Sequence, residues 1–316
     1  MGQSSHSDHN HNHDADHKHA PGASHSHLPL DASSARITWA FILNLSFTII
    51  EFIGGWLTNS TAIMSDAVHD LGDTLSIGSA WVLNKLGRKK ATDDFSYGFR
   101  RLSLYGAMIN SLVLIAGSVF VLTEAVPRLF NPVMPDAQGM LGLAILGVTV
   151  NGFAAYRLSA GQSLNEKVLN WHLLEDVLGW AAVLVVSIVL MFIDMPILDP
   201  LLSIAFTLFI LVNVARNFWT TLKLFAQSVP DGELRLKILD ALSTVDKVES
   251  IHHMHLWSLD GEQHVLTVHL KVKDELSSSE HFEIKKQIDI NLKPFSLEHT
   301  TIELEWPSES CRDSEH

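Results

Sequence analysis

Two pairs of residues, His69 with Asp73 and His172 with Asp176, repeat one spacing inside long, mostly apolar segments. Residues four apart on a helix share a face. Each pair therefore brings one imidazole nitrogen and one carboxylate oxygen to one point. Two helices carrying such pairs would offer two nitrogens and two oxygens to a single ion, a tetrahedral set that suits zinc. With no thiolate in the set, zinc-like divalent ions are favoured over copper(I). The same atoms also bind protons, so metal release can be linked to proton uptake. Asp66 and Asp70 fall with His69 and Asp73 within an arc of about 100°. Lipid cannot accept that face, which must turn to a bundle interior or a water-filled cavity. Asp66, Asp70 and Glu175 are read as groups that orient a ligand or line the ion's path. Glu51, Glu124, Asn44 and Asn110 add polarity within apolar runs, with capping, cross-helix pairing and path lining all open.

The elements that must hold these residues are long. The chain has 316 residues, 47% of them hydrophobic. Six apolar runs, roughly 36–57, 61–86, 102–126, 138–158, 168–193 and 198–226, each have the length of a membrane-spanning helix. The loops after the second and fourth runs carry Lys85, Arg88, Lys89, Lys90, Arg100, Arg101, Arg157 and Lys167, whereas the other loops hold only Arg128. Basic loops stay cytoplasmic, so both termini are expected inside. Counted from the outer helix ends, the two His/Asp pairs differ in depth by about 12 Å at 1.5 Å per residue. The net charge of −13 and the absence of a basic patch argue against a nucleic-acid partner. One cysteine, Cys311, excludes a disulfide framework within the chain. The polar N-terminus shows no secretory signal.

Two polar regions flank the apolar body. Residues 1–34 contain eight of the 18 histidines, spaced by Asp, Asn, Ser and Ala. Too little there is apolar to offset chain entropy, so a disordered, metal-buffering tail is expected. Residues 228–307 read as a compact domain. A helical pattern in 233–245 is followed by two strands around the Asp-Gly pair of "SLDGEQ". A Ser-capped helix over 277–292 and a strand over 300–306 complete it. The order αββαβ suits a three-stranded sheet with two helices on one face. Residues 308–316 are expected to be a loose tail.

With these residues on the page, the chain resembles the cation diffusion facilitators, the zinc transporters of bacteria and eukaryotes. The resemblance runs from about 35 to 306. It is carried by "NSTAIMSDAVHDLGD", "FSYGFRRLSLYGAMIN", "WHLLEDVLGW", "LDPLLSIAFTLFIL" and "VESIHHMHLWSLDGEQHVLTVHL", and it is greatest to the bacterial cobalt–zinc–cadmium resistance branch. It implies a six-helix transmembrane bundle over 35–227 and a cytoplasmic metallochaperone-like domain. It further implies a homodimer in the bacterial inner membrane and proton-coupled efflux of zinc, with cadmium or cobalt as further substrates. His69, Asp73, His172 and Asp176 would form the transport site. The resemblance also implies a cytoplasmic metal site at His252, His269, His281 and Glu305, with zinc as a regulatory ion. Glu303 stands where some members have His, which puts a second ion there in doubt. His253, His255 and His264 have no assigned role. The loop after the second run keeps Asp93 and Asp94 but lacks the histidines of a loop metal site. Related chains that carry more than one cysteine use a terminal cysteine as a ligand; Cys311, alone, is a weak candidate for that role.

Two rival readings exist. A membrane-anchored zinc sensor or buffer would work through the His-rich tail and the C-terminal domain. An intramembrane metalloenzyme would need an open coordination position and a general base. Glu175 is the nominal base, but no H-E-x-x-H is present, and a transporter rather than an enzyme is expected.

Overall fold

The computed structural model describes residues 34–87, 91–158 and 164–313. The His-rich tail lies outside the described residues. Six long helices come first: α1 Ser34–Thr58, α2 Thr61–Gly87, α3 Leu102–Phe130, α4 Ala137–Leu158, α5 Leu164–Phe192 and α6 Leu198–Phe225. Five of them contain stretches long and apolar enough to cross a membrane: Phe41–Thr58, Leu102–Phe130, Ala137–Tyr156, Leu173–Phe192 and Leu198–Phe225. Their outer surfaces carry large exposed apolar side chains, among them Leu43, Trp56, Phe130 and Phe192. Water would not tolerate so continuous a surface; hydrocarbon does. Among the described residues α2 is not one of the five, and it carries Asp66, Asp70 and Asp73. α3 runs four residues past its expected end, with Pro127 in its last turn.

Packing inside the bundle is close. Trp180 of α5 is 1% exposed and lies flat over Gly147 of α4; a Cβ added there would fall 2.1 Å from the indole ring. Phe47 of α1 meets the same indole edge-on at 6.0 Å.

α2 is tied to its neighbours by polar contacts rather than by apolar burial alone. From α1, Asn44 donates to Thr74 Oγ1 at 3.0 Å, and Thr48 and Thr74 share a hydroxyl bond at 3.2 Å. From α3, Asn110 donates to Ser76 at 2.8 Å. From α6, Thr207 pairs with Ser65 at 2.9 Å, and Ser203 donates to the Thr61 carbonyl at 2.9 Å. Three of the in-span polar residues with open roles are thereby placed. Asn44 and Asn110 pair across helices, and Glu124 lies 4.0 Å from Arg128, which in turn donates to the Asn59 carbonyl and side chain.

The C-terminal domain follows as α7 Gly232–Ser243, β1 Val248–Ser258, β2 His264–Val272, α8 Ser278–Leu292 and β3 Leu297–Glu305. The sheet order is β1-β2-β3, antiparallel then parallel, so the sheet is mixed. Asp231 caps α7, and Ser277 with Glu280 forms a capping box on α8. The expected Asp-Gly turn is present. Asp260 Oδ1 accepts from the N–H groups of Glu262 and Gln263, and Gly261 takes φ +102°, which a side chain would resist. Leu266, Val268, Leu270 and Val272 of β2 pack against Ile238, Leu242, Ile284 and Ile288 of the helices. Each such fully buried side chain contributes roughly 1.5–3 kcal/mol. By strand alternation, Thr267, His269 and Lys271 point to the other face.

Candidate metal centres

The membrane-domain site begins with the anchoring of α2. Asp199, in the first turn of α6, is 1% exposed. Its carboxylate accepts from Ser60 Oγ at 2.5 Å, from the N–H and hydroxyl of Thr61 at 2.8 Å each, and from the N–H of Ala62 at 3.2 Å. It thus satisfies free N–H groups at the N-terminus of α2, where a negative charge is also favoured. Sequence reading missed this residue, because its partners lie about 138 positions away and an acid beside a loop looks solvated. An Asp-Pro pair at the start of an apolar run was the available signal.

Two turns into α2, His69 Nε2 lies 3.9 Å from Asp73 Oδ2 and 3.7 Å from Asp176 Oδ1 of α5. The depth difference counted along the sequence is closed because α5 extends further beyond this level than α2 does. α5 places His172 one turn before Asp176; its side chain lies outside the described residues. Asp66 and Asp70 are buried at 8% and 7% exposure. Asp66 lies beside Gly179 of α5, its Oδ1 at ordinary contact distance, 3.6 Å, from where a Cβ would stand. Glu51 of α1, 1% exposed, faces Asp66 and Asp70. Glu175 is exposed. Five carboxylates and one imidazole therefore converge between α1, α2 and α5. That much negative charge in a medium of low dielectric requires positive counter-charge, which a divalent ion or protons can supply.

The second centre lies on the open face of the C-terminal sheet. His252 and His269 are register partners on β1 and β2. Glu305 of β3 spans them, with Oε2 2.9 Å from His252 Nε2 and Oε1 2.8 Å from His269 Nδ1. Two further residues join. His253 Nδ1 lies 3.1 Å from Cys311 Sγ, and His269 Nδ1 lies 3.4 Å from the same sulfur. Donor atoms of His252, His253, His269 and Cys311 all fall within 4.8 Å of one another. Glu303, whose presence in place of His cast doubt on a further ion, is 3.7 Å from His269 Nε2 and pairs with Arg312.

Within one chain His281 stands apart from this cluster, on α8, which packs against the sheet through Ile284 and Ile288. The tail makes defined contacts as far as residue 313. Trp306 N–H donates to Glu309, the Glu309 N–H returns to the Trp306 carbonyl, and Arg312 binds Glu303 at 2.7 Å. That turn is what delivers Cys311.

Charge at this cluster follows from its contacts. Burial raises the Glu305 carboxyl, but hydrogen bonds from Cys311 and His269 and the nearby imidazoles outweigh it, so the net shift is downward and Glu305 stays ionised. Burial, with Glu305 and Asp313 close by, pushes the Cys311 thiol up. The two domains meet at the loop after α2. Arg100 lies 3.3 Å from Glu298 and 3.9 Å from Asp260, and Tyr97 contacts the His299 ring edge-on.

A bundle of apolar helices around a His/Asp constellation, joined to a small α+β domain with its own His cluster, defines an integral membrane protein that handles cations. The family comparison agrees in both halves. Residues 37–226 match the cation efflux transmembrane domain, and residues 230–305 match the cytoplasmic domain of cation efflux proteins. The chain belongs to the cation efflux family. Among its curated relatives is the cadmium, cobalt and zinc/H(+)-K(+) antiporter of Bacillus subtilis, 31% identical over 84% of this chain and 87% of that protein. The zinc transporter ZitB of Pectobacterium atrosepticum is 30% identical over 89% and 88%. The metal cation efflux system protein CzcD of Cupriavidus metallidurans is 28% identical over 88% of each. These relatives are transporters, not enzymes.

Proposed function

We propose that this protein exports divalent metal cations, chiefly zinc, from the cytoplasm in exchange for protons. His69, Asp73, His172 and Asp176 hold the ion between α2 and α5. The approach of His69 Nε2 to Asp176 Oδ1, 3.7 Å apart on different helices, is the observation that carries the reading. An imidazole and a carboxylate brought together from two apolar helices form half of a tetrahedral set, and the His172 position lies one turn from Asp176. The names of the relatives support zinc, cadmium and cobalt as substrates and a proton as counter-ion.

α2 serves as the sixth span, its polar face turned inward and its other faces against α1, α3 and α6. Both termini lie in the cytoplasm of a bacterial cell with the protein in the inner membrane, where it acts as a homodimer. In the cycle, zinc enters an inward-open site, the bundle rocks, and protons take the ligands as the metal leaves. His252, His269 and Glu305 hold a regulatory ion in the cytoplasmic domain.

The test is uptake of radiolabelled zinc into inside-out vesicles under an imposed pH gradient, comparing the parent with Asp176→Ala. Gradient-driven uptake that vanishes in the variant is expected. Uptake surviving in Asp176→Ala would move the site off α5. Absence of uptake in a folded parent would favour the sensor reading, which the cytoplasmic His cluster alone would serve.

A further inference from the structure

The cytoplasmic cluster has a donor that arrives by a route of its own. Cys311 lies six residues beyond the last strand and reaches the cluster only because the chain doubles back at Trp306–Glu309 and is held by the Arg312–Glu303 pair. His253 also arrives irregularly. Successive residues of a strand point to opposite faces, so His252 and His253 should not share one. The β1–β2 register is broken between His252 and His255, and His253 adopts φ +47°, in the left-handed region. This bulge turns both imidazoles to the same side, their ring centroids 5.6 Å apart. A non-glycine residue in that region costs about 1–3 kcal/mol, a strain that persists where surrounding structure over-determines it.

We infer that Cys311, His252, His253 and His269 bind one soft divalent cation, in a site completed within a single chain by the C-terminal tail. This deepens the regulatory-ion reading above and rests on it, though not on transport. A tetrahedral ion with bonds of about 2.0–2.3 Å sets its donor atoms about 3.3–3.8 Å apart. The contacts of Cys311 Sγ with His253 and His269, 3.1 and 3.4 Å, are close to that spacing without any rearrangement of the backbone. Glu305, whose oxygens lie 2.9 Å from His252 Nε2 and 2.8 Å from His269 Nδ1, stands at the edge of the same set and adds its negative charge there. Three imidazoles and a thiolate select zinc and cadmium over manganese or magnesium, which prefer oxygen. Binding releases the thiol proton and leaves the ion one net positive charge, which ionised Glu305 balances. A cavity of about 250 Å³ lined by His253, His255, His269, Glu303, Arg312 and Asp313 gives an ion a way in.

The test uses cobalt(II) as the spectroscopic probe, on full-length protein in detergent carrying Asp176→Ala, so that the membrane site does not contribute. A thiolate-to-cobalt charge-transfer band is expected. Adding Cys311→Ser should abolish the band and weaken cobalt binding by about ten-fold or more. His253→Asn should weaken binding while folding normally, because Asn tolerates the left-handed conformation. Cobalt bound without the band, and unaffected by Cys311→Ser but lost in His269→Ala, would overturn the tail ligand and leave the regulatory-ion reading standing. No cobalt bound in the Asp176→Ala protein would overturn both.

Discussion

Asp199 Oδ2 accepts hydrogen bonds from both the backbone N–H and the side-chain hydroxyl of Thr61, each at 2.8 Å. One buried carboxylate on α6 thus fixes where α2 begins, and with it the level of His69 two turns on. Asp199→Ala removes the acceptor shared by Ser60, Thr61 and Ala62, at a cost of about 1–3 kcal/mol for a buried group left unsatisfied. Zinc transport should fall although no ligand is touched, and Asp199→Asn should recover part of it. Transport rates normalised to folded protein check this. Equal loss in Asn and Ala would mean that the charge at the α2 N-terminus, not the hydrogen bonds, dominates.

Replacing His69 by Asp makes the set richer in hard oxygen donors. The His69→Asp variant should lose preference for zinc over manganese in paired uptake measurements. An unchanged ratio would place selectivity away from α2.

Much of this was legible in the sequence because it depends on local pattern. His69 and Asp176, which lie 3.7 Å apart, belong to two His-x-x-x-Asp pairs visible inside apolar runs, and the spacing of Leu234, Ile238 and Leu242 announced α7. What was hidden depends on tertiary placement. Asp199 looks like a loop acid until Thr61 is beside it. His253 points the wrong way on an ideal strand, and only the bulge re-aims it. Cys311 has no meaning until the turn at Trp306 is known. Which sheet face α8 covers, and so where His281 stands within one chain, is likewise not written in the sequence. α2 is less apolar than its neighbours because it carries Asp66, Asp70 and Asp73.

Gly147 admits the Trp180 ring between α4 and α5. A methyl at that position overlaps the indole, so Gly147→Ala should cost about 1–3 kcal/mol through overpacking. Thermal unfolding in detergent reads the loss, and Trp180→Leu in the same chain should recover part of it. A stable single variant would show that the two helices separate freely.

In the cytoplasmic domain, hydrogen bonds from Lys247 and then Ser277 hold the Glu280 carboxyl down to about 2 from 4.5. A depressed carboxylate stabilises the fold fully above its unfolded value and loses that contribution as pH falls through the folded one. Glu280→Gln should therefore lower the melting temperature at pH 7, and the gap to the parent should narrow as pH drops from about 4.5 toward 2. A gap independent of pH would assign the effect to the capping box rather than to charge.

The central claim is that His69 and Asp176, from two helices, share one ion with displaceable protons. Zinc titration calorimetry in buffers of different ionisation enthalpy measures stoichiometry and proton release together. It is best run on full-length protein carrying Cys311→Ser and His269→Ala to silence the cytoplasmic site. One zinc per chain with proton release is expected, lost alike in His69→Ala and in Asp176→Ala. Binding that survives with full proton release in either variant would contradict a shared site.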